Sequence, residues 1–95
     1  MSNTQTLVDS VCIVDGYGIK TWYKNGKLHR IKGPAIEDHN TKEWWVDGML
    51  HREDGPALEY ANGTKVWLVN GRTHRIGGPA IEYCDGTKKW YIEGK

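Results

Sequence analysis

A Trp followed four residues later by Gly recurs in register along this chain, as Trp22-Tyr23-Lys24-Asn25-Gly26, Trp44-Trp45-Val46-Asp47-Gly48, Trp67-Leu68-Val69-Asn70-Gly71 and Trp90-Tyr91-Ile92-Glu93-Gly94. The Trp residues are 22, 23 and 23 positions apart. A second block follows each of the first three: His29-Arg30 with Gly33-Pro34-Ala35, His51-Arg52 with Gly55-Pro56-Ala57, and His74-Arg75 with Gly78-Pro79-Ala80. A fixed period of this length marks an array of small supersecondary units that contact mainly their neighbours.

The unit reads as strand, tight turn, strand, turn. In the third copy Lys65-Val66-Trp67-Leu68-Val69 is β-branched and aromatic, and Asn70-Gly71 closes it as a type I′ hairpin, whose two central residues both need positive φ. The return strand carries His74-Arg75. It is interrupted at Gly78-Pro79, because proline brings no N–H to a ladder. The chain resumes through Ala80-Ile81-Glu82-Tyr83 and turns again at Asp85-Gly86, as it does at Asn62-Gly63. The expected fold is therefore all-β: a single-domain antiparallel meander of about three and a half hairpin repeats. Its units span roughly 16–40, 41–62, 63–85 and 86–95, after a capping strand at 11–14 and a flexible start at 1–10. Asn40-Thr41 lacks the Gly of the later turns, a one-residue deletion that accounts for the 22-residue step and tightens that turn.

A chain of 95 residues buries only about 60–65% of the surface its unfolded form exposes. Phe is absent while Trp and Tyr number five each, so the large apolar area comes from amphipathic rings that line surfaces as well as cores. The formal charge of +1 provides no global field for duplex nucleic acid or an anionic membrane. No stretch approaches the roughly 20 apolar residues of a membrane span, and Met1 to Ser10 lacks a signal-peptide layout, so a cytoplasmic protein is expected. Cys12 and Cys84 have neither metal-site nor disulfide-framework spacing. In a meander they lie about six strands, roughly 28 Å, apart, and are expected to be free thiols.

Written as Trp-x-x-Asn-Gly-x-x-His followed by Asp-Gly-x-x-x-Trp, residues 16–95 resemble the MORN (membrane occupation and recognition nexus) repeat. His-Arg stands where His-Gly is usual and Gly-Pro-Ala is an addition, as in the MORN-like variant of short phage and large-virus chains. The resemblance implies an extended sheet used for binding or assembly, with no intrinsic activity and no cofactor.

The candidate binding residues are the aromatic and His-Arg columns: Trp22, Trp44, Trp45, Trp67, Trp90, His29, Arg30, His51, Arg52, His74 and Arg75. Alternation along a strand puts the four in-phase Trp on one face and sends each His and its neighbouring Arg to opposite faces. Arg beside aromatic rings could hold a phosphate while the rings stack on a base. Glu37, Glu59 and Glu82 could instead pair with the Arg column across strands and fix the register. Trp45 is out of phase and faces the other way, a candidate anchor for a partner; Asp38, His39 and Asp54 are the other out-of-phase polar residues. His copies two strands apart, about 9.5 Å, cannot share a zinc with bonds of about 2.1 Å, so no metal is expected. Strand 90–92 (Trp90, Tyr91, Ile92) has no return strand after Gly94-Lys95 and offers an assembly edge, which predicts a homo-oligomer.

No asymmetric set of nucleophile, base and oxyanion donors is legible, so no enzyme is expected. The leading functional expectation is a phage-type binding module that neutralises a host protein in the host cytoplasm. A sponge for a nucleotide-derived signal and a structural assembly module are the alternatives, with membrane attachment disfavoured by the lack of a basic face.

Overall fold

The computed structural model describes residues 10–95, and these form strands, turns and bends only. In chain order the strands are β1 (Val11–Val14), β2 (Lys20–Lys24), β3 (Lys27–Leu28), β4 (Ile36–Glu37), β5 (Thr41–Glu43), β6 (Trp45–Val46) and β7 (Met49–Leu50). They continue with β8 (Leu58–Tyr60), β9 (Lys65–Val66), β10 (Leu68–Val69), β11 (Arg72–Thr73), β12 (Ile81–Glu82) and β13 (Lys88–Lys89). Every pairing is antiparallel, and the main sheet runs β1-β2-β4-β5-β8-β9-β12-β13 with β3 attached to β2. Apart from Ser10, the segment expected to be flexible lies outside the described residues.

The structure departs from one uninterrupted meander at Trp44 and Trp67, whereas β2 runs on through Trp22. Upstream of Trp44 and Trp67 the strand belongs to the main sheet, and downstream it forms a separate short ribbon, β6-β7 or β10-β11. The backbone bonds of the Trp show why. The Trp44 N–H donates to the Ala57 carbonyl at 2.8 Å while the Trp44 carbonyl accepts from the His51 N–H at 2.9 Å. Its two sides thus face different stretches of the return chain, separated by the Gly-Pro loop that cannot continue a ladder. Trp22 and Trp67 repeat the pattern with Ala35/His29 and Ala80/His74.

The ribbons are not independent. The turn glycine of each hairpin donates back to the preceding return strand, Gly48 to Leu28, Gly71 to Leu50 and Gly94 to Thr73, at 2.8–2.9 Å. The Arg30, Arg52 and Arg75 N–H groups reach forward to the Trp45, Leu68 and Tyr91 carbonyls at 3.0–3.1 Å. Local contacts of this kind are those expected of a hairpin array.

The hairpin turns have the type I′ signature at all four places: φ is 53°, 50°, 52° and 51° at Asn25, Asp47, Asn70 and Glu93, and 78–82° at the following glycines. Glu93 adopts this left-handed conformation without the local side-chain bonding that makes it tolerable for Asn and Asp. The shortened second connection closes with Asp38 N–H to the Thr41 carbonyl, where the later copies close Tyr60 on Thr64 and Tyr83 on Thr87.

Little is deeply buried. Among the described residues Ala35, Ala57 and Ala80 are wholly inaccessible, joined by Leu68 and by His29 at 4% exposure. The molecule is elongated, 52 × 29 × 17 Å, with a radius of gyration of 14.8 Å against about 12 Å for a compact globule of this length. Side-chain clamps between strands must therefore do much of what a core does elsewhere.

Candidate functional site

The Arg column is the centre of those clamps. The Arg30 guanidinium carbon lies 3.7 Å from the centre of the Trp22 ring, and Arg52 over Trp44 and Arg75 over Trp67 lie at 3.9 Å. Opposite the ring is a glycine: a Cβ on Gly33, Gly55 or Gly78 would sit 2.9, 2.7 or 2.8 Å from the guanidinium carbon. A side chain at the glycine would have to displace the guanidinium, which packs against both the indole and the glycine. Each Arg also donates to the carbonyl of its proline, Pro34, Pro56 or Pro79, at 3.0–3.1 Å. It further donates to Glu37, Glu59 or Glu82 at 2.9–3.2 Å. The Trp, Arg, Gly-Pro and Glu of the sequence unit are one device.

The His column holds one hairpin to the next. Nδ1 of His29, His51 and His74 accepts the N–H of Asp47, Asn70 and Glu93 respectively, at 2.9–3.0 Å. An Nδ1 that accepts must be unprotonated, which fixes the Nε2–H tautomer. Adjacent in sequence, His and Arg thus engage different groups: the next turn and the unit's own Trp.

A row of charges crosses the main sheet. Pairing places Lys20 opposite Glu37, Glu37 opposite Lys42, Lys42 opposite Glu59, Glu59 opposite Lys65, Lys65 opposite Glu82 and Glu82 opposite Lys88. Opposite charges directly across a ladder favour this register over a slipped one. Every Lys in the row precedes its Trp by two positions, and alternation puts both on one face.

The out-of-phase residues are mostly absorbed by structure. Asp54 gives Arg52 a second carboxylate, 3.1 Å from Nε, and Glu53 accepts from His51 Nε2 at 3.1 Å. His39 Nε2 donates to the Tyr17 carbonyl at 3.1 Å, tying the second connection to the first. The Asn40 and Thr41 amides donate to the Asp38 carboxylate at 2.8 and 2.6 Å, and these bonds hold it below its ordinary value of 3.8. The Thr87 amide does the same for Asp85. Trp45, expected as an exposed anchor, is half-buried with its indole N–H donated to Glu43 at 2.9 Å.

Two open grooves of about 790 and 750 Å³ flank the loop Glu53-Asp54, one bounded by Trp67, His74 and Arg75, the other by Arg30 and Trp44. Both are therefore lined by the same two exposed carboxylates. Among the described residues no group of three His, Cys, Asp or Glu side chains is placed to hold a metal ion. No helix there is long and apolar enough to cross a membrane. Cys12 and Cys84 are free and exposed.

The C-terminal unit differs. Trp90 is 64% exposed and Ile92 50%, with Tyr91 half-buried between them. Trp22, Trp44 and Trp67, under their arginines, are half-buried. At the other end of the main sheet β1 pairs on one side only among the described residues, and Val11, Ile13 and Val14 are all exposed by more than half.

Comparison with protein-family models, with curated proteins and with solved structures returned no match.

Sequence reasoning located the Trp, His and Arg columns but not their completion. The wholly buried Ala and the guanidinium-packed Gly stand within the Gly-Pro-Ala block, whose Gly-Pro reads from sequence as a break in the ladder and whose Ala reads as the strand resuming. The Lys row was visible as a Lys two places before each in-phase Trp.

Proposed function

We propose that this chain is a non-catalytic, MORN-like module that binds a partner polypeptide. The observation that carries the reading is the commitment of Arg30, Arg52 and Arg75 to the chain's own Trp, Pro carbonyl and Glu groups, while among the described residues the edge strands keep apolar side chains exposed. A phosphate entering the Arg column would have to displace a tethered carboxylate from each guanidinium, and two of them from Arg52. The exposed Glu53 and Asp54 in the grooves would repel it further. An open strand edge, by contrast, offers unpaired backbone groups beside apolar side chains, which is how sheets capture extended chains. Following the resemblance to phage and large-virus chains, the partner is a host protein and the effect its neutralisation in the host cytoplasm.

The test is affinity capture from cell lysate, with mass spectrometry of proteins and co-purifying small molecules. A polypeptide retained in stoichiometric amount, and rebinding after purification, is expected. Saturable thermal stabilisation by cyclic or adenine-derived nucleotides, with no polypeptide retained, would overturn the reading in favour of a nucleotide sponge.

A further inference from the structure

Three units of this protein show what a strand of this type binds on its outer side. In each, the Trp ring takes an Arg guanidinium, the Trp N–H donates to an Ala carbonyl and the Trp carbonyl accepts a His N–H. The Lys two residues earlier faces a Glu on the strand that follows. That strand is a single block in which Gly comes three residues after the Arg and Glu seven after it: Arg30/Gly33/Glu37, Arg52/Gly55/Glu59, Arg75/Gly78/Glu82.

The fourth strand presents the same groups. Its inner side is docked like the others, through Ala80 N–H to the Lys89 carbonyl, Arg75 N–H to the Tyr91 carbonyl, and Glu93 N–H to His74. It is therefore held in the conformation of its three counterparts. Its outer side offers an exposed indole ring, a Trp90 N–H and carbonyl with no backbone partner among the described residues, and Lys88 in register with Glu82 on one side only.

From this repeated register we propose that the Trp90 edge binds an extended segment of a second polypeptide that carries an Arg, a Gly three residues on and a Glu seven residues on. The guanidinium stacks on Trp90, the Glu faces Lys88, and the backbone pairs with Trp90. The assignment rests on the reading of the chain as a protein-binding module and gives that module a site and a partner chemistry. A second copy of this chain is a poor occupant. Its three Arg blocks are consumed in its own sheet, and two β13 edges brought together would set Lys88 and Lys89 against their counterparts.

The test uses the intact chain and a labelled peptide with the sequence of residues 73–82, Thr-His-Arg-Ile-Gly-Gly-Pro-Ala-Ile-Glu, followed by fluorescence anisotropy. Saturable binding is expected. Arg75→Leu in the peptide and Trp90→Ala in the protein should each weaken it by about tenfold, and together by little more than either alone. Lys88→Glu in the protein should weaken binding, and Glu82→Lys in the peptide should restore it. Circular dichroism of the protein variants verifies that they fold. Binding indifferent to Arg75→Leu or to Trp90→Ala, or no saturation at millimolar peptide, would overturn the proposal. So would light scattering showing a self-associated species that the peptide cannot enter. If a stoichiometric partner is captured equally by wild type and Trp90→Ala, the module reading stands and this site assignment fails.

Discussion

The sandwich of Trp44, Arg52 and Gly55 makes a prediction in which the sign of one substitution depends on another residue. Gly55 has no positive φ, so Ala fits its backbone. Taken alone, Gly→Ala at such a place stabilises by about 0.4–1 kcal/mol through the unfolded chain. The added Cβ, however, would stand 2.7 Å from the Arg52 guanidinium carbon and must expel it. The expelled group gives up a partly desolvated cation–π contact of about 1 kcal/mol. It also gives up a bond to the Pro56 carbonyl of about 1 kcal/mol, and ion pairs to Glu59 and Asp54 that together add about 0.5–1 kcal/mol at their exposure. Gly55→Ala should therefore destabilise the wild type by roughly 2 kcal/mol net, lowering Tm by about 8–16 °C for a domain of this size. In an Arg52→Ala background, already less stable by about 2–3 kcal/mol, the same Gly55→Ala should be neutral or stabilising. Urea unfolding followed by circular dichroism on the four members of the cycle measures the coupling. Additive costs would show that the glycine serves the backbone and not the guanidinium.

His29, the most buried of its column, should lose about 1–2 kcal/mol on His29→Ala, because the Asp47 N–H is left without its acceptor. The Asp47 amide resonance should move with it, and ¹⁵N shifts of the wild-type imidazole should report Nε2–H. Glu93→Asn should stabilise by several tenths of a kcal/mol, since Asn accepts the φ of 51° more readily than Glu; an unchanged urea midpoint would refute strain at that turn. Asp38 bears a carboxyl lowered by the Asn40 and Thr41 amides, so its contribution is present above its ordinary value of 3.8 and is lost as pH falls through the lower folded value. Asp38→Ala should flatten the acid side of the stability curve below about pH 4 and leave the neutral-pH slope unchanged.

The period and the Asn-Gly turns were legible in the sequence because they are local. Positive φ at two adjacent residues is a property of Asn25-Gly26 or Asn70-Gly71 by themselves, and the structure has it at each of the four turns. The Arg–Glu pairing was legible as one of two possibilities, because Glu37 follows Arg30 at a fixed interval. The third partner was not. That Trp22 receives its own Arg30 and not a neighbouring ring depends on the chain leaving the ladder between His29 and Ala35. That departure, announced by Gly33-Pro34, brings Gly33 against the guanidinium, and the residue types do not announce that contact. The division of the strand at Trp44 and at Trp67 was hidden for a similar reason: Lys65 to Val69 alternates as one strand, and only the change of partner from Ala80 to His74 divides it.

The buried alanines bear on how such an array can carry function at all. Ala35, Ala57 and Ala80 have no exposed surface, yet each contributes a single methyl, so the apolar area buried per unit is small. Register must come largely from polar partners, and the in-phase Arg, His and Glu of the first three units are engaged in that task. A column so occupied cannot also be a ligand site without loosening the sheet. On the proposed reading, binding falls instead to the exposed apolar side chains of β1 and of the Trp90 strand. A substitution in an internal clamp should consequently lower stability and leave affinity for a partner nearly unchanged, whereas Trp90→Ala should do the reverse. Arg52→Ala and Trp90→Ala compared in both assays decide the point. A loss of partner binding by Arg52→Ala in a chain that still folds would return the Arg column to the binding surface.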